Sequence, residues 1–465
     1  MDQNPIAPSA VQPSTAIADF AAGLTWEQIP APVIARAKLL ILDSLGIGVA
    51  STSYDFGKRA LDGVAALGSQ GSCTVLNSAM TLSPRDAALA NGMLIHGLDF
   101  DDTHMASIIH ATAACLPAAL AMAEALDRSG RDLLVAYAAG METAIRIGLA
   151  ADGRFHHTGF HATAIAAHFS SAIVAAKLIG ADAHAMVMAQ GIAASTASGV
   201  QVFLEDGAWT KRFHPGWAAA AGITAATLAR HGFVGPKRPY EGKFGLFDTH
   251  FQAHGKGLEP ERLSNGLGQV WELAESAIKP YPVCHFIHGA ADAAVELSRE
   301  IKASDIAAIE VLIPQPTLHI VAEPTSVKLK PKTDYDAKFS AQFVVATCLA
   351  RGAFGLAELT DAALTDPELL ALTAKATCTA DPDSAFPTYF SGGVVVQLKD
   401  GRMLKRHVRI NSGAGEKALD EAGVSAKFRA TARMATSSER AEQIRAAVLD
   451  LDARSARDLG AVLKA

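Results

Sequence analysis

Apolar residues recur at helical spacing through most of the first 260 residues, and no other feature of the sequence limits the fold as much. In the segment 30–50, apolar residues occupy positions 33, 34, 37, 40, 41 and 45, which lie on one face of a helix. The same spacing predicts further helices at 84–98, 114–127, 133–150, 162–180, 184–199 and 217–231. We therefore expect an all-helical body for this part of the chain.

Strand patterns are found only after about residue 265. The run IAAIEVLI at 306–313 is rich in β-branched residues, which favour strands. Two alternating runs, at 393–398 and 403–410, flank the dipeptide Asp400-Gly401. Such a dipeptide between alternating runs predicts a β-hairpin.

Helical patterns at 337–351 and 367–376 lie between these strands, and the chain becomes helical again from Glu416. Strands mixed with helices are typical of an α/β unit. We predict a mostly α fold in which both chain ends, residues 1–264 and 413–465, form one large all-helical domain. Residues 265–412 are then a smaller inserted α/β domain, which we interpret as a lid.

Composition excludes several classes of protein. Half of the residues are hydrophobic and 19% are charged, and the formal charge is −6 with no basic block, so we do not expect a nucleic-acid partner. Polar residues such as His168 and Lys177 interrupt the most apolar stretch, 164–181, so we predict no membrane span. The five cysteines are scattered without a CxxC pair and the first 17 residues lack the parts of a secretory signal, which favours the cytoplasm.

Histidines and carboxylates crowd the segment 91–110. A carboxylate beside an imidazole fixes its tautomer and tunes its pKa for proton transfer, so we predict that this segment contributes to an active site. His104 is one of its members, next to Thr103. If the helix continued through the segment, four members would share one face: His96, Asp99, Thr103 and His110. A loop after Thr103 is the alternative.

Two other interpretations of this segment stay open. Asp101 and Asp102 are suited to cap or end a helix. Aspartate and histidine side chains at short spacing are also suited to bind a divalent ion, but the HxxxH and HExxH signatures are missing. We therefore predict no metal site.

Two further clusters combine histidines with cations. His161 stands close to the start of a predicted helix, where the helix dipole favours anions and lowers the pKa of an imidazole. Lys211 and Arg212 lie in the segment 209–217, before another predicted helix, and are suited to bind a carboxylate. The alternatives are structural histidines and a solvated basic turn, and we interpret His168 as a packed helix residue.

A fourth cluster, at 279–288, joins the predicted lid to the helical body. Prolines on both sides stiffen Tyr281, and His285 or His288 is placed to face an interdomain cleft, where ligand sites tend to lie. Cys284 is a conceivable nucleophile, although burial is the commoner fate of a lone cysteine. Because the chain lacks GxGxxG after a strand and GxxxxGK[ST], we predict proton chemistry without a cofactor.

Taken together, these motifs resemble the MmgE/PrpD family along nearly the whole chain. The resemblance rests on several segments in family order: LILDSLGIGVAS (40–51), ANGMLIHGLDFDDTH (90–104), GMETAIRIG (140–148), GFHATA (159–164), TKRFHPGWAAAAG (210–222) and KPYPVCHFIHGAADAA (279–294). It implies a helical domain built from both chain ends, an α/β lid, and a homodimer whose active site lies between body and lid.

The resemblance also assigns roles to particular residues. In cis-aconitate decarboxylases a catalytic histidine falls at the position of Cys284, so the adjacent His285 is carried over with the others. The residues implied to be catalytic are Asp99, Thr103, His110, His161, Lys211 and His285. Those that we expect to bind the substrate are His104, Arg212 and Tyr281.

The resemblance predicts a cofactor-independent lyase that acts on a small di- or tricarboxylate by proton abstraction next to a carboxylate. Members of the family include 2-methylcitrate dehydratases, cis-aconitate decarboxylases and iminodisuccinate epimerase. We rank a 2-methylcitrate dehydratase-like hydro-lyase first, with decarboxylase and epimerase as alternatives. A catalytically silent carboxylate-binding protein is the alternative from a different class.

Overall fold

The computed structural model describes residues 11–251 and 258–465. Its first part is a helical body with one short antiparallel pair, β1 (Cys73–Thr74) and β2 (Thr81–Leu82). The helices of this part are α1 (Pro13–Gly23), α2 (Ala31–Ser51), α3 (Asp55–Ala66), α4 (Pro84–Ile95), α5 (Thr112–Ala125), α6 (Gly130–Ala151), α7 (Arg154–His157), α8 (Ala162–Leu178), α9 (Ala183–Ala194), α10 (Phe203–Asp206), α11 (Thr210–Arg230) and α12 (Leu246–Phe251).

Close packing of small residues holds the centre of this body together. A Cβ atom at Gly216 of α11 would lie 2.3 Å from the carbonyl oxygen of Leu89 in α4. A Cβ atom at Gly222 would lie 2.5 Å from the backbone nitrogen of Ala172 in α8. The two glycines therefore allow α11 to approach both neighbours, and this approach fixes the positions of the first turns of α8 and α11.

The predicted start of the helix at 217–231 is wrong. The helix begins at Thr210 and continues through Pro215, although a proline inside a helix removes one hydrogen bond. The close packing of α11 against α4 and α8 offsets that loss. As a result, Lys211 and Arg212 lie in the first turn of the helix and not before it.

The second part of the structure contains a four-stranded sheet. The strands have the order β4–β3–β5–β6, in which β3 and β4 are parallel and the other pairs are antiparallel. The elements are α13 (His288–Leu297), β3 (Ile306–Ile313), α14 (Leu318–Val321), α15 (Thr325–Lys328), α16 (Asp334–Lys338), α17 (Ala341–Arg351), α18 (Asp361–Leu364), α19 (Pro367–Thr373), β4 (Ala376–Ala380), β5 (Gly392–Leu398) and β6 (Met403–Val408).

The predicted strand at 306–313 and the hairpin about Asp400-Gly401 are confirmed, and Gly401 has a φ of +90°. Strand β4 is not predicted, because its residues ATCTA are mostly exposed and lack apolar alternation. The predicted helix at 337–351 is divided into α16 and α17, since Ser340 caps a new helix by accepting from the backbone N–H of Phe343.

Three C-terminal helices return to the helical body: α20 (Glu421–Ala432), α21 (Ser438–Leu449) and α22 (Ala456–Leu463). One hydrophobic core joins buried side chains from Ile17 to Ile278 with others from Val424 to Leu463. A second core consists mainly of side chains between Val283 and Ala414. The mostly helical fold with a smaller sheet-containing part is thus confirmed, while the exact domain limits stay a prediction.

Helix α6 is long and apolar enough to cross a membrane by length and composition alone. However, 94% of its most apolar stretch is buried inside the protein. Its buried side chains include Tyr137 and Met141, which contact Thr112 of α5. In the described part of the chain α6 therefore packs as a core helix.

Candidate active site

A cleft of about 530 Å³ lies between side chains of the helical body and side chains of the sheet-containing part. All of the residues predicted as catalytic line this cleft, and all are buried. They are Asp99, Thr103, His110, His161, Lys211 and His285. The structure therefore brings together residues from four sequence clusters, three in the body and one where the second part begins.

The loop between α4 and α5 carries three of these residues. Helix α4 ends at Ile95, and Asp99 has a left-handed backbone with a φ of +53°. The loop then folds back on itself, because Thr103 pairs with Ala277 and His104 with Ile109. The helix does not continue through this segment, and the loop, which the sequence leaves open as the alternative, brings these residues together.

Asp99 is the centre of a buried charge cluster. Its Oδ1 accepts a hydrogen bond from Lys211 Nζ at 2.5 Å, and Lys279 Nζ donates to Asp99 O at 2.9 Å and to Oδ1 at 3.3 Å. Burial alone would raise the pKa of Asp99, but the two ammonium groups outweigh burial and hold this pKa well below its usual range. Two cations and one carboxylate leave a net charge of +1 in the cleft, which favours an anionic ligand.

His110 is held in one tautomer. Its Nδ1 lies 2.8 Å from the carbonyl oxygen of Asp102 and 3.0 Å from Thr103 Oγ1. A carbonyl oxygen only accepts, so Nδ1 carries the proton and Nε2 has a free lone pair. Burial, together with the Lys279 ammonium group, holds the pKa of His110 well below 6.5, so the ring is neutral at pH 7.

His161 occupies the N-cap position of α8, close to the helix start as the sequence predicts, and its side chain makes no capping hydrogen bond. Its Nδ1 lies 3.1 Å from Nδ1 of His214 in α11, and its Nε2 is buried without a hydrogen-bond partner in the part of the chain that the structure describes. Burial, followed by His214 and Lys211, lowers its pKa well below 6.5. The rings of His161 and His110 are 6.2 Å apart, so both can contact one small ligand.

A carboxylate–histidine pair stands next to these rings. His96 Nδ1 lies 2.8 Å from Asp101 Oδ2, and the His96 ring stacks on His161 at 5.6 Å. Neither Asp101 nor Asp102 occupies the cap position of a helix, because α4 ends before them and α5 begins at Thr112, but Asp102 interacts with Thr112 in the first turn of α5. Burial and the neighbouring Asp101 raise the pKa of Asp102 to about 7.

His285 is also held in one tautomer. Asn411 Oδ1 accepts from the backbone N–H of Phe390 at 3.3 Å, which orients the amide. Asn411 Nδ2 therefore donates to His285 Nε2 at 3.0 Å, so the proton of the neutral ring is on Nδ1. Burial, and then His288, lowers the pKa of His285 well below 6.5, and its Nδ1 is buried without a partner among the described residues.

None of the three residues predicted to bind the substrate is among those that line the cleft, so their binding role stays a prediction. The Arg212 guanidinium lies 4.1 Å from the Phe56 ring centre and bonds to Asp334. The other two are held by local partners. His104 Nδ1 is 2.9 Å from Ser107 Oγ, and the Tyr281 hydroxyl donates to Asp292 at 2.7 Å.

Three residues of the site were not predicted. Lys279 lies in the motif at 279–294, where nothing in the sequence distinguishes it from its neighbours, and His214 lies close to two cations that account for the same motif. Asn411 is 126 positions from His285 and has no local signal. Cys284 lines the cleft, but burial raises its pKa to about 11, so its thiol stays protonated at neutral pH.

Among residues 11–251 and 258–465, no group of three or more His, Cys, Asp or Glu side chains is arranged to hold a metal ion. The donors that face the cleft are ammonium groups and imidazoles. These groups are suited to bind carboxylates and to transfer protons.

Comparison with known proteins identifies the family. The MmgE/PrpD N-terminal domain matches residues 15–259 and the MmgE/PrpD C-terminal domain matches residues 281–453. The C-terminal match extends past residue 412, so it includes helices α20 and α21, which pack on the helical body.

Curated relatives are similar to the chain over most of its length. A cis-aconitate decarboxylase-like protein, oryM, from Aspergillus oryzae is 28% identical over 91% of this chain and 91% of its own. The cis-aconitate decarboxylase of Homo sapiens is 29% identical, with 92% and 90% covered. A 2-methylcitrate dehydratase from Cupriavidus necator is 26% identical over 79% of each chain. These relatives support an enzyme of the lyase kind, and the chain belongs to the MmgE/PrpD family.

Proposed function

We propose that the protein is a lyase that removes CO2 from a small unsaturated tricarboxylate of the cis-aconitate type. The observation that carries the proposal is the buried cluster of two ammonium groups on one carboxylate, which faces neutral histidines. Relatives named as cis-aconitate decarboxylases, 28–29% identical over about nine-tenths of the chain, support this choice.

The two lysines are suited to bind substrate carboxylates. An ammonium group has three donors. Lys211 Nζ donates one hydrogen bond to Asp99, and Lys279 Nζ donates two. Each lysine therefore keeps at least one N–H donor for a ligand. Charge-assisted bonds of this kind are short and strong, and they stabilise negative charge that develops on the substrate.

The proposed reaction needs one proton. The C–C bond to the departing carboxylate breaks, and its electron pair forms a new C=C bond as CO2 leaves. The pair of the old C=C bond moves to the carbon beside another carboxylate, and that carbon takes the proton. We assign the delivery of this proton to Nε2 of His110, which takes the proton up from solvent when the acid binds, with His161 as the second candidate. We assign His285 Nδ1–H to a substrate carboxylate.

Dehydration of a hydroxy acid is the second candidate. The 2-methylcitrate dehydratase relative supports it, at 26% identity over 79% of the chain. In that reaction, neutral His110 would take the proton and a protonated histidine would give one to the leaving hydroxyl. We rank it below decarboxylation, the reverse of the order that the sequence alone suggests, because the decarboxylase relatives match more of the chain.

A proton NMR time course in D2O tests the proposal. The purified protein is incubated with cis-aconitate, 2-methylcitrate, citrate and an amino-dicarboxylate. We expect loss of CO2 from the cis-aconitate-type acid with one deuteron in the product. Olefin formation from a hydroxy acid would favour the hydro-lyase, exchange alone an epimerase, and unchanged spectra with measurable binding a silent carboxylate-binding protein.

Binding of a polyanion is expected to take up protons. In the free protein, burial and the lysines hold the pKa values of His110 and His161 well below 6.5. A bound tricarboxylate adds negative charge beside the rings and raises these pKa values. At a pH between the histidine pKa of the free protein and that of the complex, only the complex holds the extra proton. The affinity for the tricarboxylate therefore increases as pH falls through this window, by up to about tenfold per pH unit.

Calorimetry with tricarballylate, a saturated tricarboxylate, measures this uptake. Titrations at pH 7.5 in buffers of different ionisation enthalpy give the number of protons bound from the slope of the observed enthalpy. A positive slope that decreases in His110→Asn supports the assignment. A zero slope, or proton release, would contradict it.

We also propose that the protein forms a homodimer through the exposed face of α11. Phe213 and Trp217 are 40% and 44% exposed, and their rings stack at 5.8 Å. Exposed aromatic pairs of this kind are typical of interfaces. We expect the double variant Phe213→Glu and Trp217→Glu to sediment as a monomer, whereas Phe244→Glu, at a residue 83% exposed elsewhere, should not change the sedimentation coefficient.

A further inference from the structure

A second cavity, of about 600 Å³, adjoins the cleft. We call the cleft the inner cavity and the second one the outer cavity. Both are lined by the same three apolar side chains, those of Ile108, Phe286 and Ile320, together with His156. The two cavities therefore meet along a shared wall.

The inner cavity contains the groups that are suited to bind carboxylates. Lys211, Lys279 and His285 all line it. When these groups hold the carboxylates of a ligand, the outer cavity is left for a substituent of that ligand.

The chemistry of the two walls differs. Lys211, Lys279 and Asp99 all line the inner cavity, and no lysine or arginine among the described residues lines the outer cavity. The outer wall is built from apolar groups, including Pro316 and Phe386. A carboxylate in the outer cavity would lose hydrogen bonds with water without gaining a cationic partner. An alkyl group makes no hydrogen bonds with water, so its burial there carries no such cost.

The polar groups of the outer cavity lie mainly at its solvent side. Asp152, His157 and His319 are exposed, so water satisfies them. His156 is half-buried, and burial lowers its pKa to about 4, so it is neutral at pH 7. The wall nearest the inner cavity therefore presents no charged group to a ligand.

Ile108 stands where the two cavities meet and has an unusual backbone. Its φ is +56°, which a β-branched residue rarely adopts. The pairing of His104 with Ile109 holds this loop in place on both sides of Ile108. Strained residues of this kind persist where the surroundings fix them, often beside a ligand.

We infer that the substrate is an amphipathic acid, whose carboxylates bind in the inner cavity and whose alkyl substituent passes Ile108 into the outer cavity. The inference rests on the proposed function for the carboxylate end. Each methylene that enters the outer cavity is expected to raise the affinity about fourfold.

Isothermal calorimetry tests this without any turnover. The probes are succinate and its 2-methyl, 2-butyl and 2-hexyl derivatives, each titrated into the wild-type protein. The test variant is Ala106→Trp, at an exposed residue that lines only the outer cavity, and it is expected to fill that cavity. The matched control is Ala353→Trp, at an exposed residue that lines neither cavity.

We expect affinity to increase along the series in the wild type and in Ala353→Trp. In Ala106→Trp the affinity should not change with chain length, and succinate should bind as tightly as it does to the wild type. An affinity that does not increase with chain length in the wild type would overturn the inference. So would an Ala106→Trp protein in which all four acids are weakened equally, because the outer cavity would then be only an entrance.

Failure of the proposed function gives a different result. If the acids bind with the expected chain-length dependence but no acid in the NMR panel is turned over, the proposed reaction fails and the inference on ligand class holds. If none of the four acids binds, the carboxylate site itself is wrong and both fail.

Discussion

Replacing Lys279 with methionine is expected to lower kcat/KM by roughly a hundred- to a thousandfold while the protein still folds. Lys279 is 1% exposed and donates to both Asp99 O and Oδ1. Without it, Asp99 keeps its bond to Lys211, so no buried carboxylate is left without a cation. The cluster changes from a net charge of +1 to zero, and the cleft loses a donor for the substrate.

The measurement is a comparison of kcat, KM and tricarballylate affinity, with circular dichroism and thermal melting as the check on folding. Lys211→Met should behave in the same way, because it removes the other ammonium group. The matched control is Lys177→Met, which removes a partly buried lysine that donates to Ala22 O and Leu24 O outside the cleft. A folded Lys279→Met protein with wild-type kcat/KM would refute the role of this cluster.

The sequence predicts much of the site because the chemistry-bearing residues stand in short motifs. Asp99, Thr103 and His110 lie within one loop, and His161 and Lys211 lie at the starts of two helices. Local spacing and family resemblance are enough to select these positions.

Sequence spacing does not show which partners a side chain finds in the fold. Arg212 has the charge that a carboxylate needs, but Phe56 and Asp334, both distant in sequence, hold it away from the cleft. The role of Asn411 cannot be predicted from local sequence for the same reason, since it donates a hydrogen bond to His285, which is 126 positions away. The sequence does not predict strand β4, because it has no apolar alternation of its own. Its strand conformation depends on pairing with β3.

The tautomers are the other property that only the structure provides. A free imidazole offers either nitrogen as an acceptor. The Asp102 carbonyl fixes the proton of His110 on Nδ1, and the Asn411 amide fixes that of His285 on Nδ1. The cleft therefore contains one ring with a free lone pair and one with a free N–H donor, which is the division of roles that a proton-transfer enzyme needs.

Changing His110 to asparagine is expected to lower kcat by about two to four orders of magnitude. The asparagine Nδ2 can replace Nδ1 as the donor to Asp102 O and Thr103 Oγ1, so the loop should keep its shape. The group that carries the transferred proton, Nε2, is lost. The measurement is single-turnover kinetics, together with tricarballylate affinity, which should change by only a few fold.

His168→Asn is the matched control for this change. His168 is also a buried histidine whose Nδ1 donates to a carbonyl, that of Ala164, and burial lowers its pKa to about 4. It does not line the cleft, so the same substitution there should leave kcat unchanged. Because the two variants lose the same atoms from buried rings, a difference in kcat between them reports the proton transfer and not the packing. If His110→Asn kept its kcat and His161→Asn lost it, the proton would pass through His161, whose Nε2 has no hydrogen-bond partner among the described residues.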